Sequence, residues 1–476
     1  MKKTPIVVVR WVPALILILQ LHVAYAAACS AQWCDSEEVA KLLAADGMTE
    51  ARFGFSVAAS GDLAVVGAPT DSELGVEAGA VYVYRFDKGI WVQDAKLLAS
   101  DGSPFDSFGG SVSVSGDVVV VGAIGDSQNG LLTGAAYVFR RTATGWIQEA
   151  KWLPDTGYAT TGFGVAVAVD DDVALVAVPN DNGPTTNTGV AYVFTYDGSK
   201  WSQTTKLETV FDTDYAHAIS SVAISGDVAV LGFMSDNYIT FRSGSAYVFR
   251  RDGSKWTQEA RLVNKQGGPS DSFGNSVSAS GDAILVGTNE GVHGQYSGSG
   301  AAYAFRYADG QWRLETRLNP SDNQQRDYAG WSVSLDGDTA LIGSWGNGHD
   351  GMVSGAAYLY QYDGSMWLES EKLLAGDRQP SDSFGFSVAL SGSRAVIGAR
   401  NEDSLGINAG AAYLFDVACG DPCAADANGD GALTPADFSA WVNAYNNHLS
   451  ACDQNADGTC TSADFTAWIA NFNAGC

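Results

Sequence analysis

Two short runs near the end of the chain carry the residues best suited to chemistry. "DANGDGALTPAD" covers 426–437 and "DQNADGTCTSAD" covers 453–464, so the two start 27 residues apart. In the first, Asp426, Asn428 and Asp430 stand at alternate positions, Gly431 follows, and Thr434 and Asp437 come later. In the second, Asp453, Asn455, Asp457, Gly458, Thr461 and Asp464 repeat the order. Calcium is a hard cation that takes six to eight oxygen ligands wrapped around a sharp turn. Carboxylates and amides at alternate positions can face one ion, and the glycine allows the turn. The carbonyls of Ala432 and Thr459 add one oxygen each. Both runs are therefore read as calcium loops, and Ca2+ as the cofactor.

Such loops need elements to hold them. After each comes an apolar pattern at helical spacing: Phe438, Trp441, Val442 and Tyr445, then Phe465, Trp468, Ile469 and Phe472. These stripes predict two helices with a shared aromatic core. The ligand spacing is that of an EF-hand, and the loop-then-helix duplication resembles type I dockerin domains over about residues 421–476. That resemblance implies attachment to a cohesin-like or surface partner. The sequence departs from it in its aromatic core, and in Ala436 and Ser462-Ala463, near where dockerins address that partner. Cys423 and Cys476 bracket the module and are expected to pair. A core this small gains from metal and disulfide staples.

The rest of the chain is a repeat. "SGD" turns place Asp62, Asp117, Asp172, Asp227, Asp282 and Asp338 at intervals of 55 residues, lengthened once to 56. Tyr82 to Tyr413 and Trp91 to Trp367 keep the same phase. Each unit reads as four strands. "GSVSVS" alternates, as a strand with two unlike faces should. "DVVVVGA" is continuously apolar, as a strand buried on both sides should be. "AAYVFR" and "WIQEAKWL" follow. Seven such units predict an all-β seven-bladed β-propeller over residues 37–417, joined through residues 418–425 to the small helical module at 426–476. The seventh unit lacks its fourth strand, whereas "EEVAKLLAADG" at 37–47 matches "VQDAKLLASDG" at 92–102. The N-terminal segment is thus expected to close the last blade.

"FGFSVAASGDLAVVGAP" at 53–69 resembles the FG-GAP repeat of integrin α-chain propellers, and Phe-Gly recurs at Phe108, Phe163, Phe273 and Phe384. The resemblance implies a propeller and a binding or adhesion role. Integrin blades often carry an Asp-rich calcium loop where this chain has a bare "SGD", so calcium in the blades is not implied.

Composition narrows the function. The chain has 476 residues and a net charge of −27, which excludes a phosphate-gripping nucleic-acid binder. Lys2, Lys3 and Arg10, an apolar run from Trp11 to Val23 and "AYAAAC" read as a signal peptide over residues 1–28. The expected location is extracellular or at the cell surface, with no membrane span in the mature chain. The seven cysteines sit only at the two ends, as suits an oxidising compartment. Lipidation of Cys29 and pairing of Cys29 with Cys34 both remain open.

Histidine is scarce: outside the leader only His217, His293, His349 and His448 occur, and no nucleophile–base motif is recognisable. Residues that break the repeat are the better guide. Blade four replaces Phe-Gly by Ala218-Ile219, and the loops of blades four to six are unusual. Tyr238, Phe241, Arg242, His293, Tyr296, Trp345 and His349 are expected on one side of the loop-bearing rim, as a site for a glycan or protein ligand. The alternatives are a polysaccharide-active enzyme carrying a dockerin-like tail, and a purely structural surface protein.

Overall fold

The computed structural model describes residues 34–155, 160–181, 188–209, 218–289, 298–348, 353–419 and 435–447, with residues 465 and 468. Both calcium loops, the signal segment, and His217, His293, Tyr296, His349, His448, Cys423 and Cys476 lie outside the described residues. The chain divides into two units, one of them Cys34–Ala418.

That unit contains seven four-stranded antiparallel sheets. In blade one the strands are Ser56–Ser60, Leu63–Ala68, Ala80–Asp87 and Ile90–Leu97, from the axis outward. The second strand explains the stack. All six of its residues are buried, because the sheet faces a neighbouring blade on either side. Val118–Ala123 repeats this in blade two. The apolar runs read from the sequence are therefore the inter-blade core.

The last blade is closed by the first strand of the chain. Cys34–Leu42 adds to Ala411–Cys419 at the outer edge of that sheet. Leu42 and Ala44 join a buried cluster with Phe53, Tyr82 and Tyr84 of blade one and Val396 and Leu414 of blade seven. Lys41 Nζ lies 2.6 Å from Asp377 and 2.9 Å from Glu402. Burial alone would push the Asp377 carboxyl up, but hydrogen bonds from Lys41 and Tyr413 outweigh it and hold that carboxyl below its ordinary range. A carboxylate so depressed contributes stability at neutral pH that is lost as the pH falls through its folded value.

Each "SGD" turn ties its blade to the preceding one. The Gly116 N–H donates to Ser60 Oγ at 3.1 Å, and the Asp171 N–H to Ser115 Oγ at 3.1 Å. The Gly226, Gly281, Gly337 and Gly392 N–H groups repeat the bond to Asp170, Ser225, Ser280 and Asp336. The Gly61 N–H closes the circle on Ser391 Oγ at 2.9 Å.

Phe-Gly has two structural duties. Phe108 is fully buried, with its ring 5.3 Å from that of Tyr137. Gly109 has φ +90°, and a Cβ there would stand 2.5 Å from the Ala80 carbonyl oxygen of the preceding blade. Only glycine satisfies both conditions.

Blade four corrects the sequence alignment. The hydrogen bond that Gly54, Gly164 and Gly274 give to Gly67, Ala177 and Gly287 is given by the Ser220 N–H to the Gly232 oxygen at 2.9 Å. Ile219 enters the core where five of the other blades bury Phe and blade six buries Ala329. The replacement of Phe-Gly is therefore Ile219-Ser220, not Ala218-Ile219. The missing ring is supplied from the second strand. Phe233 is fully buried, 5.4 Å from the ring of Tyr247, where blades one and two have the small Ala68 and Ala123. The departure of blade four is accordingly a repacked core.

In the C-terminal unit a helix runs over Pro435–Asn447. Trp441 and Trp468 are buried, and the rings of Trp441 and Phe438 lie 5.3 Å and 5.4 Å from Phe465 and Trp468 respectively. The two aromatic stripes thus meet as one core.

Candidate functional site

The loop-bearing rim is built from the segments between second and third strands and the linkers between blades. Each third-strand Tyr sends its hydroxyl to that rim. In blade one the Tyr82 hydroxyl sits 2.8 Å from Asp46 and 3.0 Å from Asp71, and Lys96 Nζ bridges the same two carboxylates at 2.6 Å and 3.1 Å. Tyr137, Asp101, Asp126 and Lys151 repeat the box in blade two. In blade six Asn347 stands in for the inner Asp beside Tyr358, Asp322 and Lys372. Recurrence makes these boxes structural: they pin the linkers to the blades. Beside the boxes, burial pushes the carboxyls of Asp106 and Asp382 up, that of Asp382 to about 6.

The loop tips are apolar around much of the rim. Val76, Leu131, Phe241, Val353 and Ile407 are all exposed, and each carbonyl accepts an N–H from the following linker. Phe241, expected as a peculiarity of blade four, is thus one member of a recurrent crown. Arg242 lies 5.5 Å from its ring. Tyr238 is half-exposed, with the Arg261 guanidinium 3.6 Å from its ring.

Trp345 belongs to a second cluster, in blade six. It stacks on Tyr328 at 4.7 Å with the rings parallel to within 1°. The pair lines a cavity of about 430 Å³ with Gln324, Arg326, Asp327 and Val353. The indole N–H of Trp345 is buried without a hydrogen-bond partner. The described residues of the expected patch therefore divide into a blade-four group, Tyr238, Phe241 and Arg242, and Trp345 with partners that sequence reasoning missed; His293, Tyr296 and His349 lie outside the described residues.

Those partners continue to the axis. The innermost strands enclose an axial cavity of about 280 Å³ lined by residues such as Ala58, Ser113, Ala168 and Ser278. At the rim end of these strands stands the residue after Phe-Gly. It is aromatic in three consecutive blades: Trp331, which follows Ala329-Gly330 in blade six, Phe386 and Phe55. Trp331 lies 5.8 Å from Trp345 and 5.6 Å from Phe386, which lies 5.3 Å from Phe55. The Arg400 guanidinium covers Phe386 at 3.7 Å. Burial, with the charge of Arg52, holds that guanidinium below its ordinary range. Comparing the position after Phe-Gly across the seven copies would have revealed this crescent from the sequence.

Repeated blades that hold a fixed scaffold under a variable, aromatic-lined rim define a β-propeller whose fold is consistent with a binding module. The family follows from the repeats themselves: segments 36–84, 91–139, 146–194, 256–305, 312–360 and 367–415 match the FG-GAP repeat, and the chain belongs to that family. Each match spans one fourth strand and the next three strands, and the first three strands of the repacked blade four lie between the third and fourth matches. A search of curated proteins finds no match. Among the described residues no helix is long and apolar enough to cross a membrane.

Proposed function

We propose that the chain is an exported calcium-binding surface protein. Its propeller holds a glycan on the loop rim, and its C-terminal module attaches it to a partner. The observation that carries this reading is the Tyr328–Trp345 pair, stacked along one wall of a 430 Å³ cavity beside the channel mouth. Large rigid rings next to amides and a guanidinium provide what a sugar needs: an apolar face to lie on and polar groups at its edge. The leader-like N-terminus and the cysteines confined to the chain ends support export.

The test is glycan-array binding of the intact protein. Binding is expected, and Trp345→Ala should weaken it at least tenfold while leaving the melting temperature within a few degrees. An array with no binder, or binding indifferent to Trp345→Ala, refutes the rim reading.

For the tail, we infer one calcium ion in each loop, 426–437 and 453–464. Saturating calcium at 100 times Kd stabilises a folded module by about 2.7 kcal/mol. For so small a unit that is a rise of about ten degrees or more. Calorimetry should show the shift, and it should vanish in the Asp426→Ala, Asp453→Ala double variant. If that variant keeps its calcium response, the ligand assignment is wrong.

A further inference from the structure

The arginines of this protein obey a rule with a localised exception. Along the blades each guanidinium has its acid: Arg140 with Glu149 at 2.9 Å, Arg250 with Glu259 at 2.8 Å, Arg306 with Glu315 at 2.7 Å and Arg394 with Asp62 at 2.7 Å. With 54 acidic residues against 27 basic ones, carboxylates are in surplus. Yet Arg52, Arg242, Arg326 and Arg400 have no carboxylate within 4 Å among the described residues, and all four stand on the loop rim.

Two of them face the same mouth. The Arg400 guanidinium lies 3.7 Å from the centre of the Phe386 ring, its Nε is buried without a hydrogen-bond partner, and its nearest charged influence is another cation, Arg52. Arg326 lines the Trp345 cavity at the other end of the aromatic crescent. Asp327, which also lines that cavity, is already committed to the Gln324 N–H at 2.8 Å and to Asn347 Nδ2 at 3.1 Å. Holding like charges together, partly desolvated and without counter-ions, is costly. A chain so rich in acids would offset that cost with one substitution. A guanidinium stacked on a ring keeps its edge donors pointed outward, in the fork geometry that fits a carboxylate.

We propose that the rim ligand is a carboxylate-bearing glycan: uronate carboxylates bind Arg400, Arg52 and Arg326, while sugar rings occupy the Trp345–Tyr328 cavity. This rests on the glycan reading above and names the ligand's charge. An acidic peptide would satisfy the guanidiniums but makes less use of a ring-lined cavity between them. The overall negative field slows the approach of a polyanion, so the selectivity belongs to contacts at the site.

The test is isothermal titration of the intact protein with hexamers of galacturonate and mannuronate, with the neutral galactose and mannose hexamers, and with hexaglutamate. At least one uronate hexamer should bind ten times more tightly than its neutral counterpart. Arg400→Gln and Arg52→Gln should each remove most of that difference while leaving the melting temperature unchanged or higher, because a like-charge contact is relieved. Trp345→Ala should weaken charged and neutral sugars alike. Equal binding of charged and neutral hexamers, or uronate binding indifferent to both arginine variants, overturns this proposal and leaves glycan binding standing. Hexaglutamate binding as tightly as the best uronate overturns it in favour of an acidic peptide. No binding of any sugar overturns both readings.

Discussion

A chain that begins at residue 47 should lose most of the propeller's stability, although it keeps all but one of the twenty-eight strands among the described residues. The strand Cys34–Leu42 is the outer edge of blade seven, and the segment after it serves blade one. Removing both withdraws Leu42, whose burial contributes about 1.5–3 kcal/mol. It removes Lys41 from Glu402, a carboxylate only 5% exposed, and stranding a buried charge costs about 3–5 kcal/mol. It also takes Asp46 from Tyr82 and Lys96, and the Leu43 carbonyl from the Tyr84 hydroxyl at 2.7 Å. The total is of the order of a whole domain's net stability, and the exposed edge of Ala411–Cys419 is open to pairing with other chains. Denaturant midpoints of the two chain lengths, with light scattering, measure the effect. A synthetic peptide of residues 34–46 should restore part of the loss. Midpoints that coincide would mean that the seven-blade ring is held by its inner strands alone.

The clasp was legible because 37–47 and 92–102 are near copies, and because a ring of identical units has nowhere else to put a missing strand. The blade count was legible for the same reason: period and phase report the backbone, which the repeat fixes. The rim was less so. Trp331, Phe55 and Phe386 look like unrelated residues next to a motif until the fold brings the starts of all inner strands around one axis. Arg400 is further still. Nothing local distinguishes it from Arg394, and only the absence of an acid beside it in space marks it out. The Tyr–Asp–Lys boxes were visible as repeated letters, but their members come from two strands and a loop of one blade and from the linker before it. Blade four shows the converse. The loss of Phe-Gly was plain in the sequence and pointed to function, but in three dimensions the change is absorbed by Phe233.

That absorption predicts a large and reciprocal effect. Phe233→Ala should cost about 3–5 kcal/mol, the usual penalty for deleting a buried phenyl, because Ile219 cannot reach the space that Phe53 or Phe108 fills in the regular blades. Ile219→Phe alone should also destabilise, by about 1–3 kcal/mol, since two rings would compete for one site beside Tyr247. Together the substitutions rebuild the ordinary arrangement, with a large residue before the first strand and a small one at the end of the second, as in Phe53 with Ala68. The double variant should therefore be more stable than Phe233→Ala by several kcal/mol, a coupling far beyond the few tenths expected of independent sites. Adding Ser220→Gly should sharpen the rescue by allowing the left-handed backbone that Gly54 and Gly109 adopt. Urea midpoints of the four proteins decide the matter. Strict additivity would show that Phe233 and Ile219 do not share a cavity, and blade four would then return to being a candidate for function.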